Sequence, residues 1–386
     1  MNELKTPEVL LVAAEASSEL YGRRIIEEIK KRKLNVQFYG IGSHAMESMG
    51  FDLVESSENM AVVGLFEVMA HWKVISQAFK NLVKRAKKEK PKAALLLDYP
   101  DFNLRLAKKL HGLKIPVLYF ISPQVWAWRT GRVHLIKRII SRMLVVFPFE
   151  KDFYEKFNVP VSFVGHPLLD EILNKRLTDA DRKVGRQHLG VKDDKFLVGL
   201  LPGSRDSELK YNFQTQIEAA VKISEEKPNA EFLILVAPTL EVQKIKNLLP
   251  EDLKISLRVI KDGPLKIMQL CDACIVASGT ATLMTGLAET PMVIMYKMNA
   301  MTGFIAKRIV SGSFFGMANL ISGEKVVPEL FQQEASPENL AREILKFDSD
   351  IEYRKKTKAK LAELKNKLGS GGAIERVVNE LERVLK

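Results

Sequence analysis

Cysteine is scarce in this chain: among 386 residues only Cys271 and Cys274 occur. Their C-x-x-C spacing could be half of a metal knuckle or a redox pair. A structural zinc site needs about four ligands, and no second cysteine pair exists to complete one. The pair reads as small apolar residues at a helix–strand junction, and no metal is expected. Long hydrophobic runs are also missing. No apolar stretch approaches the ~18 residues of a membrane span. No signal peptide precedes the strand-like Val9-Leu10-Leu11-Val12, so the chain is expected in the cytoplasm. Zinc-finger spacings and the aromatic pattern of RNA-recognition motifs are absent, so no nucleic acid is expected as a partner. The net charge of +12 points instead to phosphorylated substrates or an anionic membrane surface.

What is present is alternation. Short runs rich in Val, Ile, Leu and Phe are separated by helix-length segments. The first half has Val9–Ala13, Val36–Ile41, Ala93–Leu97, Val117–Ile121, Met143–Phe147 and Val161–Val164. The second has Phe196–Leu201, Phe232–Val236, Ile255–Ile260, Ala273–Ala277 and Met292–Tyr296. This is the pattern of an α/β protein with two Rossmann-like, doubly wound parallel sheets. A charged stretch from Asn174 to Lys195 separates the halves. The expected domains are 1–175 and 190–335, followed by a helical tail over 336–386. Ser336 and Pro337 suit the N-cap and first position of that tail. Gly369-Ser370-Gly371-Gly372 interrupts it.

Ligands of open α/β sheets bind beyond the carboxyl ends of the strands. The segments that follow the strands are therefore the candidate site. Glu15-Ala16-Ser17-Ser18-Glu19 follows the first strand and opens a helix. It can present N–H groups to a ligand, or Ser17 or Ser18 can simply cap the helix. Asp98-Tyr99-Pro100-Asp101-Phe102-Asn103 follows Ala93–Leu97. A carboxylate partly desolvated at Asp98 could act as a general base, and helix capping is the competing role for Asp98 and Asp101. Ser122-Pro123-Gln124-Val125-Trp126-Ala127-Trp128-Arg129 holds two of the three tryptophans. Trp stacks on sugars and Arg grips phosphate, while the alternative is core Trp beside a solvated basic helix. His166 stands at another strand end, where a structural role in the turn competes with a functional one.

In the second half, Pro202-Gly203-Ser204-Arg205 combines a tight turn with a forked cation, which suits a diphosphate. Ser278-Gly279-Thr280-Ala281-Thr282-Leu283-Met284 links a strand to a helix start. Its small residues let the backbone approach a nucleotide. The carboxylate wanted at its end is replaced by Met284. Between Trp72 and Lys92, apolar residues recur at Trp72, Ile75, Phe79 and Leu82, and Lys84-Arg85-Ala86-Lys87-Lys88 follows. This basic amphipathic helix either lies on an anionic membrane or packs on its own domain. The apolar Ala61-Val62-Val63-Gly64-Leu65-Phe66 upstream favours the membrane.

Taken in order, these segments resemble lipid-A-disaccharide synthase, an inverting GT-B glycosyltransferase family. The likeness also includes Ala61-Val62-Val63-Gly64-Leu65-Phe66-Glu67-Val68, Phe147-Pro148-Phe149-Glu150, Phe163-Val164-Gly165-His166-Pro167 and Asn319-Leu320-Ile321-Ser322-Gly323. The resemblance implies two domains facing a cleft, with acceptor and membrane contact in the first and the UDP-sugar in the second. It implies that UDP-2,3-diacylglucosamine donates its sugar to lipid X (2,3-diacylglucosamine 1-phosphate), without a cofactor, at the inner face of the inner membrane. Asp98 would be the base. Glu15, Ser17, Gly203, Ser204, Arg205, Ser278, Gly279, Thr280 and Asn319 would hold substrate or UDP, with Trp128, Arg129, His166 and Met284 as lesser candidates. The tail permits packing back on the first domain or a homodimer with exchanged C-terminal segments.

The chain departs from the family pattern at five positions. Ala14 and Ser18 stand for glycines, Glu19 for Asp, Met284 for a ribose-binding Glu, and Ala318 for Pro. A glycine replaced at a position of positive φ would require a different loop. Three readings follow: an active synthase with an altered cleft; a related GT-B enzyme or epimerase-like activity on another UDP-sugar or lipid; or a membrane-bound nucleotide-binding scaffold with little activity.

Overall fold

The computed structural model describes residues 6–60, 68–126, 130–173, 175–261, 263–298 and 314–386, with only the backbone for Ala16 and 68–72. Residues 1–170 with 370–386 form one compact unit, and residues 171–369 form a second.

The first unit is built on a parallel sheet. Its strands are β1 (Glu8–Ala13), β2 (Gln37–Gly42), β3 (Asp52–Ser56), β4 (Ala93–Leu97), β5 (Val117–Phe120), β6 (Arg142–Val145) and β7 (Val161–Phe163). Their order is β3-β2-β1-β4-β5-β6-β7. The central strands are buried along their length because helices cover both faces. This is why they read as unbroken apolar runs. Ala13 pairs with Leu97 and Leu97 with Phe120, so the residues that follow them emerge side by side at the carboxyl end of the sheet.

The second unit has β8 (Phe196–Leu201), β9 (Ala230–Leu235), β10 (Leu257–Ile260), β11 (Ala273–Ala277), β12 (Met292–Tyr296) and β13 (Glu329–Phe331), in the order β10-β9-β8-β11-β12-β13. All pairings are parallel. The strands β3 and β13 were not anticipated. Asp52–Ser56 is largely polar and half-buried at an edge, and Glu329–Phe331 is three residues long.

The expected tail divides between the units. Leu340, Ala341, Ile344 and Phe347 of the helix Pro337–Ser349 join the second core. The helix Ala373–Leu385 instead docks on the first unit. Asp170 accepts from the Gly372 and Ala373 amides at 2.6 and 3.3 Å, and Arg32 pairs with Glu382 at 2.8 Å. The charged stretch between the halves forms the helix Asp179–His188. Its Arg182 and Arg186 pair with Asp272 at the foot of β11. Cys271 and Cys274 are free and buried. Among the described residues no cluster of side chains suits a metal, and no helix is long and apolar enough to cross a membrane.

Candidate active site

At the end of β4, Asp98 and Tyr99 both take left-handed backbone angles, with φ of 47° and 48°. Two consecutive non-glycine residues in that region store strain, which persists only where neighbours hold it. The Asp98 amide donates to the Phe120 carbonyl at 2.9 Å. The Asp98 carbonyl accepts from Asn103 Nδ2 at 2.7 Å and from the Tyr119 hydroxyl at 2.6 Å. Asn103, fully buried, also donates to the Leu97 carbonyl at 3.1 Å. Burial, with the Asp98 charge adding to it, holds the Tyr119 hydroxyl protonated well above its ordinary range, so it stays a donor. The outcome is a half-buried carboxylate on an over-determined turn. Asp101 does not cap the helix Pro100–Gly112, whose N-cap is Tyr99. It accepts from Arg132 at 2.9 Å on the surface.

The loop after β1 closes on itself. Glu15 is the N-cap of the helix Ala16–Lys31. Its amide donates to Ser18 Oγ at 2.9 Å, and the Ser18 hydroxyl donates back to the Glu15 carbonyl at 2.8 Å. Ser18 is fully buried, whereas Ser17 is exposed. Ser18, which closes this capping box, stands where the resemblance leads one to expect glycine. Glu19 accepts from Ser43 at 2.7 Å and pairs with Arg23 at 3.1 Å. After burial, the Glu15 charge is the next cause raising the Tyr99 hydroxyl, which brings Glu15 into the electrostatic surroundings of the Asp98–Tyr99 turn.

A buried polar cluster lies beyond β5 and β6. Glu150, 2% exposed, accepts from the Val146 and Phe147 amides at 3.2 and 3.1 Å and from Trp126 Nε1 at 3.3 Å. Burial outweighs these bonds and lifts its carboxyl to about 7. Sequence reasoning missed Glu150 as a polar anchor. Its place three residues into a helix opened by Phe147-Pro148 is the signal that could have found it. Trp126, half-buried, packs edge-on against Phe149 at 4.8 Å. His166 lies against Phe147 at 5.4 Å and accepts from the Leu168 amide at 3.2 Å through Nδ1. Burial drops it to about 3, so it is a neutral turn residue rather than a proton carrier. Trp128 and Arg129 lie outside the described residues.

In the second unit, Gly203 has φ of 132°, and a Cβ there would fall 2.5 Å from the Glu208 Cβ. The Ser204 amide donates to the Glu208 carboxylate at 2.7 Å. Arg205, exposed, is the N-cap of the helix Asp206–Glu226. Gly279, with φ of 145°, and Thr280 are exposed at the start of the helix Thr280–Leu287. The flanking hydroxyls are spent on a neighbouring loop. Ser278 Oγ donates to the Phe315 carbonyl at 3.2 Å, and Thr282 Oγ1 accepts from the Met317 amide at 3.0 Å. Met284 is half-buried on that helix. Glu289 does not replace its missing carboxylate. It lies past the helix end and pairs with Arg176 at 2.9 Å and Lys365 at 3.4 Å.

A direct hydrogen bond from Asn319 to UDP is corrected by the geometry. Asn319 is fully buried. Its Nδ2 donates to the Val327 carbonyl and to Glu329 at 2.9 and 2.8 Å, and its Oδ1 accepts from the Val326 and Val327 amides at 2.8 and 3.0 Å. Every bonding direction of the amide is used inside the protein. Asn319 is therefore a positioning residue for the loop between Phe315 and Glu329.

The basic helix Val68–Glu89 spends its apolar face on its own domain. Ala78, Leu82 and Ala86 are fully buried, and Ile75, Phe79 and Val83 pack on the same core. Arg85 bonds Asp52 and Glu89 at 2.5 and 2.7 Å and covers the Tyr39 ring at 4.1 Å. The expectation that this apolar face enters a membrane fails for these residues, because the core already uses it. The upstream segment 61–66 lies outside the described residues.

A family model described as lipid-A-disaccharide synthetase matches residues 9–376. The chain is 43% identical to the lipid-A-disaccharide synthase of Geobacter sulfurreducens, covering 98% of this chain and 97% of that one. It is 40% identical to the synthase of Nitrosococcus oceani, covering 98% and 96%. Among solved structures it is similar to a UDP-GlcNAc 2-epimerase from Neisseria meningitidis bound to UDP-GlcNAc, with TM-score 0.67, 13% identity and 97% and 100% coverage. It also resembles the glycotransferase of kitacinnamycin, with TM-score 0.61, 15% identity and 99% and 100% coverage. At these identities the structural likeness carries the fold alone.

Proposed function

The chain belongs to the lipid-A-disaccharide synthase family, and from that premise we propose how its two units divide the work. The reaction is the family's. The sugar of UDP-2,3-diacylglucosamine passes to the 6-hydroxyl of lipid X, giving the β-1,6-linked disaccharide 1-phosphate and UDP.

In our reading the first unit handles the acceptor and the second the donor. Asp98 takes the proton of the acceptor hydroxyl as its oxygen attacks the anomeric carbon. The bond from that carbon to the UDP oxygen breaks in the same step, and the electron pair leaves on UDP. Arg205 and the amides around Gly203 and Ser204 stabilise the departing diphosphate. Gly279 and Thr280 let the nucleotide approach the start of the helix Thr280–Leu287. Asn319 supports that site by shaping its loop. The observation that carries the reading is the Asp98 turn, whose strained backbone is pinned by Asn103, Tyr119 and Phe120. A turn held this firmly aims one carboxylate, which suits a base.

For the membrane we infer electrostatic attachment. The helices Val68–Glu89, Pro100–Gly112 and Arg132–Ile139 lie side by side. They expose Lys73, Lys80, Lys84, Lys87, Lys88, Arg105, Lys108, Lys109, Lys137 and Arg138. Their acids, Glu89 and Asp101, are already paired with Arg85 and Arg132. Such a face suits anionic lipid. The docking of Ala373–Leu385 on the first unit is also a contact that a second copy could exchange, which would give a homodimer.

The test is an assay of purified protein with UDP-2,3-diacylglucosamine and lipid X, following UDP release and disaccharide together. Asp98→Ala is expected to lower turnover by at least about 100-fold with UDP binding retained. Wild-type turnover in that variant removes Asp98 as the base. UDP binding without any disaccharide from the wild-type chain favours the scaffold reading.

A further inference from the structure

Three aromatic rings gather at the carboxyl ends of β12 and β13. Tyr296 and Phe331 are register partners on the two strands, and Phe315 joins them from the loop. The ring centroids are 5.0 to 6.3 Å apart and their planes lie within 18° of parallel. All three are half-exposed. A half-exposed aromatic cluster at the ligand end of a sheet calls for an apolar occupant.

The cluster is tied to both segments assigned to the donor. The Phe315 amide donates to Glu329 at 2.7 Å, and its carbonyl accepts from Ser278, the first residue of the Ser-Gly-Thr turn, at 3.2 Å. On the other side, Tyr296 lies in the field of Glu208, which bonds the Ser204 amide of the diphosphate turn. The Phe315 ring is therefore fixed by a backbone that is pinned at both ends.

We propose that Tyr296, Phe315 and Phe331 form the wall that receives a fatty acyl chain of the donor substrate. The proposal rests on the donor reading above and deepens it. The chemistry favours an alkyl chain over the uracil ring. At these centroid distances no ring fully covers another's face, so the three near-parallel rings offer a broad apolar surface of faces and C–H edges. A base would need its polar edge read, and the Phe315 backbone groups are spent on Glu329 and Ser278. An alkyl chain asks for contact area without directional bonds.

The experiment uses the full chain, with a long-chain and a short-chain UDP-2,3-diacylglucosamine as donors and UDP as a competitive inhibitor. Phe315→Ser is expected to raise KM for the long-chain donor about tenfold, and for the short-chain donor less than about threefold, because lost apolar contact scales with chain length. The inhibition constant of UDP should stay within about twofold, and Phe315→Leu should stay close to wild type, since apolar cover is kept. If UDP weakens as much as the donor, the rings are a nucleotide platform and the proposal falls. If neither donor is affected, they are packing only, and it falls as well. Phe331→Ser repeats the readout from the edge strand should Phe315→Ser not fold. Arg205→Ala separates this proposal from the donor reading. If that change leaves UDP binding intact while Phe315→Ser still discriminates by chain length, the diphosphate assignment fails and the acyl wall stands.

Discussion

The Glu208 carboxylate accepts from the Ser204 amide at 2.7 Å, so the turn that suits a diphosphate already holds an anion of its own chain. The carboxylate sits in the first turn of the helix Asp206–Glu226, where negative charge is favoured by the unpaired amides. An incoming diphosphate needs the same donor and meets the same charge. Glu208→Gln keeps the shape and removes the charge. It is expected to tighten UDP by about three- to tenfold, within the range of one charged interaction at a helix start, and more so at low salt. Calorimetric titration of UDP checks this, and unchanged or weaker binding would mean that Glu208 only caps the helix.

The membrane reading now rests on charge rather than on a buried apolar face. Replacing Lys84, Lys87 and Lys88 together by Gln removes three exposed cations and leaves the structural Arg85 in place. Each cation near an anionic surface contributes about 1 kcal/mol. Co-sedimentation with vesicles rich in anionic lipid should therefore fall by roughly 100-fold in partition constant at low salt. Wild-type co-sedimentation of the triple variant would move the contact elsewhere.

The buried pair Glu150 and His166 predicts a stability profile with two opposing slopes. Burial raises the Glu150 carboxyl from 4.5 to about 7. Above pH 4.5 the unfolded chain loses this proton while the folded chain keeps it, so stability falls as pH rises from 4.5 to about 7. The loss is on the order of 3 kcal/mol. Burial lowers His166 from 6.5 to about 3. Below pH 6.5 the unfolded chain gains a proton that the folded chain refuses, so stability also falls as pH drops toward 3. Between pH 4.5 and 6.5 the two contributions nearly cancel, so Glu150→Gln should unmask a melting temperature that rises from pH 3 to 6.5, and His166→Gln one that falls from pH 4.5 to about 7. Profiles that match the wild type would show that neither group stays neutral in the folded protein.

How much of this was legible in the sequence depends on whether a feature was local. The runs at β1, β4, β8 and β11 were readable because strands buried on both faces need apolar residues at every position. Asp98 was readable as a strand-end carboxylate. The bonds that pin it come from Asn103 and Tyr119, five and twenty-one residues away. Asn319 was named through the resemblance as a UDP contact, and its internal bonding was not legible, because its partners Val326, Val327 and Glu329 are assembled by the return to β13. The helix Val68–Glu89 showed its amphipathic period, yet period alone does not say whether core or lipid takes the apolar side. The aromatic cluster was not legible, since Tyr296, Phe315 and Phe331 are scattered in sequence and meet only through the β12–β13 pairing and the loop bonded to Ser278 and Glu329.

Met284 poses the sharpest question about the nucleotide site. The helix Thr280–Leu287 begins with an exposed Gly279–Thr280 start, and Met284 lies one turn further on, half-buried. A carboxylate there can accept from two ribose hydroxyls, which a thioether does only weakly. Glu289 is held by Arg176 and Lys365, and the flanking Ser278 and Thr282 hydroxyls are engaged with the Phe315–Met317 loop. These nearby groups are therefore spent elsewhere. Met284→Glu is accordingly expected to tighten UDP by roughly tenfold, the worth of one charge-assisted hydrogen bond. The gain should shrink for 2′-deoxy-UDP, which lacks one of the hydroxyls. Equal affinity of the variant and the wild type for UDP would mean that this chain holds the ribose by another route and that position 284 is free to pack.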